Sequence, residues 1–233
     1  MKPAVGVVIP VCNGEAFVGR AMESILAQSG DVEFHVVCVD DGSVDGSVDL
    51  IEKFRRSFPR FDLISHSSSK GPGLSRNKGA LILKTEFLAF LDQDDRWSAD
   101  KTTSQLVALE ANPKIEFVLG MQCFELEDPN HVPNWFRPEW MESPQPGHVP
   151  SALMVRRDFF ARSGGFSEHF STGGDDSGWF AKCIRDKVDY QILSEIVVTR
   201  LVHRRNNSRN TAKANKELLQ VVRDQLLGRA TWD

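Results

Sequence analysis

This 233-residue chain lacks paired cysteines, long apolar runs and any surplus of positive charge, and each absence removes a class of protein. Cys12, Cys38, Cys123 and Cys183 are scattered with no Cys-x-x-Cys pair, so they give neither a disulfide frame nor a zinc site. They read as the reduced thiols of a cytoplasmic protein. Nowhere do about 18 uncharged apolar residues run together, and the apolar N-terminal stretch reaches only Pro10 and Val11 before Asn13-Gly14-Glu15, too short for a signal or membrane segment. A soluble chain with at most peripheral membrane contact is expected. The formal net charge of −4 gives no general attraction to nucleic acid. Neither Gly-x-Gly-x-x-Gly nor the Gly-x4-Gly-Lys-[Ser/Thr] loop is present, which counts against a dinucleotide dehydrogenase and a P-loop ATPase.

What is present is an ordinary globular composition, 41% hydrophobic and 26% charged. "VGVVI", "EFHVVCV", "FDLIS" and "EFLAFL" read as strands. Between them, apolar residues at helical spacing, such as Phe17, Val18, Ala21, Met22, Ile25 and Leu26, read as helices. Four such alternations predict an α/β fold: a Rossmann-like, open, mostly parallel sheet with helices on both faces. Ligands of such sheets gather beyond the carboxyl ends of the strands, and those ends carry "IPVCNGE", "VDDGSVD", "SSSKGPG" and "LDQDD". Residues 125–150 hold six prolines with Trp135, Phe136 and Trp140, which excludes a long helix and predicts a surface loop. "YQILSEIVVTRLVH" reads as strand, and Leu218, Leu219, Val222 and Leu226 fall on one face of a last helix. With no repeat and no long linker, 1–233 is one domain. Residues 1–112 form a first half, 113–210 a second, and 211–233 a terminal helix.

Five stretches carry candidate chemistry. Asp92, Asp94 and Asp95 crowd together after an apolar strand, as a site for a hard divalent cation requires, although Asp94 and Asp95 would equally suit the cap of a helix starting near Ser98. Asp40 and Asp41 stand past the second strand, placed either to accept from a base or ribose or simply to form a turn. In "SKGPGLSRNKGA" the glycines allow close backbone approach, and Arg76 and Lys78 are cations fit for a diphosphate. Asp175 and Asp176 open a helix, as a general base or as a cap. His203 follows an apolar strand as a metal ligand or a structural histidine, with Arg204, Arg205 and Arg209 beside it.

Taken in order, "VVIPVCNGE", "VDDGSVDGS", "GPGLSRNKGA", "LDQDD", "RRDFFARSGGFSE", "GGDDSGWFAK" and "VHRRNNS" resemble the motif series of family 2 glycosyltransferases of the GT-A fold. The resemblance runs from Val7 to Ser208 and leaves only the last helix outside. It implies a nucleotide-diphosphate sugar donor, Mn²⁺ or Mg²⁺, and inversion by direct displacement. Position by position it implies Pro10, Val11 and Glu15 beside the nucleotide, Asp41 with Asp40 at the base, and Arg76 and Asn77 near the ribose and diphosphate. Asp92 would contact sugar or ribose, Asp94 and His203 would hold the metal, and Asp176 would be the base. The chain departs from the series at Cys12, where an aromatic residue is usual, and at Asp175, where glutamate is. The acceptor, whether glycan, lipid-linked or small molecule, has no signature. Three rivals share parts of the pattern. A nucleotidyltransferase would need a glycine-rich triphosphate loop near the N-terminus. An aspartate-nucleophile phosphatase would carry Asp-x-Asp on its first strand rather than its fourth. A silent nucleotide-sugar sensor would have no need of Asp176.

Overall fold

The computed structural model describes residues 2–130, 132–134, 136–170, 174–206 and 211–226. Trp135 and Arg209 lie outside them, as does the side chain of Leu226. The first half is β1 (Ala4–Val11), α1 (Val18–Leu26), β2 (Glu33–Asp40), α2 (Ser47–Lys53), β3 (Arg60–Ser65), α3 (Pro72–Ile82) and β4 (Phe87–Phe90). Its strands lie in the order β3-β2-β1-β4, all parallel, with Val7 opposite both Val36 and Ala89. Alternation along each strand feeds two apolar layers. Val5, Val7, Ile9 and Val11 of β1 join Val18, Ala21, Met22 and Ile25 of α1 on one face. Val8 joins Val37 and Val39 of β2 on the other, where Ala80 of α3 closes down. Gly79 of α3 makes that approach possible: a Cβ there would stand 2.4 Å from a methyl of Val8.

Pro10 sits in a central strand, where a missing N–H would normally break a ladder. Val8 accepts from the Leu91 N–H on the β4 side, and Pro10 two residues later faces the same side, beyond the last β1–β4 pair at Phe90. No ladder bond is lost. The strands part there, and the Gln93 side chain from the loop after β4 spans the gap to the Cys12 backbone.

The second half comprises β5 (Asp95–Trp97), α4 (Lys101–Ala111), β6 (Phe117–Leu126), β7 (Gln145–Pro146), β8 (Met154–Arg156), α5 (Arg157–Arg162), α6 (Gly174–Arg185), β9 (Tyr190–Val202) and α7 (Thr211–Leu226). It continues the sheet as β4-β8-β6-β9-β5, with β7 beside β6. The antiparallel part of this mostly parallel sheet lies here: β8 runs antiparallel to both β4 and β6, and β5 to β9, while β6 and β9 are parallel. Short strands such as three-residue β5 and β8 need no crossover helix and can reverse direction freely. Trp179 and Phe180 of α6 and Phe159 and Phe160 of α5 fill the α3 side of the core.

α2 ends at Lys53, and Phe54 and Phe58 pack on the core from the turn that follows. The 125–150 segment is partly folded: Phe136 is buried, and Trp140 stacks on Phe124 with centroids 5.6 Å apart. Among the described residues, no helix is long and apolar enough to cross a membrane. All four cysteines are free thiols.

Candidate active site

The loops after β1, β2 and β3 are tied to one another by side chains bonding to backbone. Asn13, at φ 51°, takes the left-handed conformation that asparagine tolerates, donates its N–H to Ser43 Oγ and accepts from the Val44 N–H. The Gly14 N–H donates to Ser47 Oγ, the Glu15 N–H to Asp45, and Glu15 Oε2 accepts the Gly46 N–H at 3.1 Å. Glu15 is exposed. Pro10 is buried, and Val11 puts its side chain into the core, so these two can border a ligand only through the end of the strand.

Asp40 and Asp41 are both buried. Asp40 Oδ1 accepts the Ser43 N–H at 3.1 Å and closes the turn, the plain alternative to a base contact. Asp41 accepts from His66 Nδ1 (2.8 Å), Ser69 Oγ (2.7 Å) and the N–H groups of Lys70 and Gly71. Four donors use the four acceptor positions of a carboxylate, so Asp41 here organises the approach to α3 and has none left for a base. Burial works to raise its pKa, but the bonds from His66, Ser69, Lys70 and Gly71 outweigh it and hold the group below the usual range.

Arg76 and Asn77 point away from open space. Arg76 is buried and bridges two carboxylates, Nη2 to Asp92 Oδ1 at 2.5 Å and Nη1 to Asp175 Oδ2 at 2.6 Å. Asn77 donates to Phe166 O and accepts the Phe166 N–H, clamping α3 to the segment before α6. Arg76 Nη1 and Nη2 and the Asn77 amide are engaged by the protein itself, while Arg76 Nε has no hydrogen-bond partner among the described residues. Arg76 was legible as a cation but not as a bridge, since its partner Asp175 lies 99 residues away.

After β4 the chain presents Asp92 and Asp94, with 24% and 20% of their side chains exposed. Gln93 between them pairs with the Cys12 backbone in both directions, accepting its N–H at 2.9 Å and donating to its carbonyl at 3.2 Å. Buried Ser151 receives the Asp92 N–H. Neither link was foreseen; the placing of Gln93 inside Asp-x-Asp is the only signal the sequence offers. Asp94 does not cap a helix, and α4 begins only at Lys101. Its Oδ2 accepts from His203 Nε2 at 2.9 Å and from Asn206 Nδ2 at 3.1 Å. Asp95 is buried in β5 beside Arg200, 3.8 Å from its Nε, and burial pushes its pKa up to about 8 although Arg200 opposes the rise.

His203 thus reaches Asp94 from the far end of the chain, stacked on Phe17 with centroids 4.3 Å apart. Its Nδ1 accepts the Arg205 N–H at 3.1 Å, so the ring proton is on Nε2 and is donated to Asp94. As it stands His203 positions Asp94 and offers no lone pair to a metal. Among the described residues, no three His, Cys, Asp or Glu side chains converge as a ready-made cation site. Mg²⁺ and Mn²⁺ need no such cage: one or two carboxylates with substrate phosphate and water suffice. Asp94, partly exposed and with only Oδ2 engaged, fits that limited donor set.

Asp176 opens α6 with its Oδ1 turned back to the Ser177 N–H at 2.6 Å. Burial raises its pKa first, the Asp175 charge adds to the rise, Arg76 opposes it, and the group is pushed up to about 7. Asp175 is itself raised by burial and held down by Arg76. A carboxylate near 7 has the proton affinity that general-base work at neutral pH requires.

Residues 6–167 match the family model described as glycosyl transferase family 2. EpsH of Bacillus subtilis is 33% identical over 126 residues, covering 54% of this chain and 36% of that protein. Among solved structures, residues 1–349 of S. aureus TarS in complex with UDP superpose with a TM-score of 0.72 at 18% identity, over 97% of this chain and 65% of that one. The mannosyltransferase PcManGT of Pyrobaculum calidifontis, in complex with GDP-Man and Mn²⁺, superposes with a TM-score of 0.72 at 19% identity, over 96% and 65%. The chain spans less than two thirds of the length of each.

Proposed function

We propose that this chain, which belongs to glycosyl transferase family 2, moves a sugar from a nucleotide-diphosphate sugar to an acceptor hydroxyl with inversion, using Asp176 as the base. The observation that carries the reading is the Arg76 bridge, which holds Asp92, at the end of β4, and Asp175, next to Asp176, on one guanidinium. That bridge ties the end of β4 to the start of α6, which supports reading Asp92 as a donor contact and Asp176 as the group that takes a proton. Asp92 would meet a sugar or ribose hydroxyl, and Asp94, held by His203 and Asn206, would hold a divalent cation. Such a cation neutralises charge gathering on a leaving diphosphate. Asp176 draws the proton from the incoming hydroxyl as its oxygen bonds to the anomeric carbon, and the bond to the diphosphate breaks on the opposite face. A single displacement inverts the centre and needs no covalent enzyme intermediate.

The solved neighbours support the donor class, since one is held with UDP and another with GDP-Man and Mn²⁺. The four free thiols support a cytoplasmic setting. The reading is tested by release of nucleoside diphosphate from UDP-GlcNAc and GDP-mannose in the presence of Mn²⁺. Turnover of one of them that needs Mn²⁺ and is lost in Asp94→Ala and Asp176→Asn is the expected result. Equal turnover in Asp176→Asn would remove the base from the account.

A further inference from the structure

α7 lies beyond the residues that match the family model, which end at 167. Among its described side chains only Val221 and Glu217 are buried, while Leu218, Leu219 and Val222 are exposed. At buried position 217 an aliphatic residue would serve packing better than a carboxylate. The carboxylate has a specific partner. Glu217 Oε2 accepts the Gly174 N–H at 3.3 Å. Gly174 is the first residue of α6, one before Asp175 and two before Asp176.

The first N–H groups of a helix have no partner within it, and an anion is favoured at that end by the helix dipole. The neighbouring acids are otherwise engaged: Asp175 reaches Arg76, and Asp176 turns to the Ser177 N–H. Packing is tight at the same point. A Cβ on Gly174 would lie 3.0 Å from the Glu217 Cβ and 2.7 Å from the Phe170 ring, so the start of α6 is pressed directly onto α7. Four charged groups act on Asp176: Asp175 on its own helix, Arg76 of α3, Asp92 after β4 and Arg200 of β9, while Glu217 of α7 holds the first residue of the same helix.

We infer that Glu217 is a positioning residue for Asp176: by holding the Gly174 N–H it fixes where α6 begins, and so makes α7 a working part of the acceptor side. The inference rests on Asp176 being the base. Donor binding, built on β1 and β4, is independent of Glu217.

Its test measures Mn²⁺-dependent hydrolysis of UDP-GlcNAc and GDP-mannose by the full chain, as Glu217→Ala, Glu217→Gln and Asp176→Asn. Glu217→Ala should lower kcat roughly tenfold or more while leaving the donor KM within about twofold, and should displace the acid limb of the pH–rate profile. Glu217→Gln, whose amide oxygen can accept the same N–H, should restore most of kcat and the limb. Wild-type kcat and limb in Glu217→Ala would overturn the inference. So would equal impairment of both Glu217 variants with a raised donor KM and lowered Tm, the mark of a purely structural residue. If Asp176→Asn keeps full turnover, the base reading fails on its own evidence and the inference falls with it.

Discussion

The two sides of the candidate site are built by different means. On the β1–β3 side the loops hold one another over short stretches of chain: Asp41 gathers His66, Ser69, Lys70 and Gly71 from 25 to 30 residues away. On the α6 side the bonds are few and charged, and the Arg76–Asp175 pair spans 99 residues. The first side is a rigid frame of neutral and backbone donors; the second is a set of buried charges whose proton affinities depend on each other. The first suits holding a donor, the second moving a proton.

The largest effect that can sharpen this contrast is on turnover. Asp176→Asn should reduce nucleotide release by about 10²–10⁴-fold with the fold intact. In the wild type, activity should rise with pH through about 7, because the base works only when deprotonated. Stability should run the other way. Asp176 and Asp95 keep their protons to about 7 and 8 in the folded chain, whereas the unfolded chain releases them near 3.8, so the folded state binds more protons between those values. Unfolding free energy therefore falls as pH rises across that window, as urea titrations at a series of pH values would show.

Next in size is the bridge. Arg76→Met strands two carboxylates in the interior and should cost about 3–5 kcal/mol in urea unfolding, the usual result of removing one partner of a buried pair. Asp41→Asn should cost less, about 1–3 kcal/mol, because the amide places donors against donors at one end only. If Asp41→Asn proved the more damaging change, the division between a neutral frame and a charged hinge would be wrong.

The smallest effect concerns Lys101, fully buried under Trp97 and bonded to Gln105 Oε1 at 2.7 Å. Burial lowers its pKa well below the ordinary 10.5. Lys101→Met should change stability by less than about 1.5 kcal/mol near neutrality. Any advantage of the variant should shrink as pH rises toward 10.5, since the wild type gains stability there by releasing its proton earlier when folded.

The sequence showed the first half plainly because β-branched runs such as Val5–Ile9 and helical spacing in α1 are local signals. Asp92, Asp94, Asp176 and His203 were legible as residues by their order along the chain. Their partners were not. Nothing around Arg76 announces Asp175, nothing around Gln93 announces the Cys12 backbone, and Asn77 reads as polar without showing that Phe166 claims its amide. Strand direction in the second half was hidden for a similar reason: β5, with Asp95 and Arg96 among three residues, has no apolar run, and its place beside β9 is set by Thr199 and Arg200 far along the chain.

The central claim is that the donor frame and the proton-moving side are separable. It is tested most directly by thermal unfolding with UDP, GDP, CDP and dTDP, each with and without Mn²⁺, on the wild type, Asp94→Ala and Asp176→Asn. A diphosphate at about 100 times its Kd stabilises by about 2.7 kcal/mol, enough to move Tm by several degrees. The account predicts a shift with one base, only with Mn²⁺, kept in Asp176→Asn and lost in Asp94→Ala. A shift lost equally in Asp176→Asn, or none with any diphosphate, would contradict it.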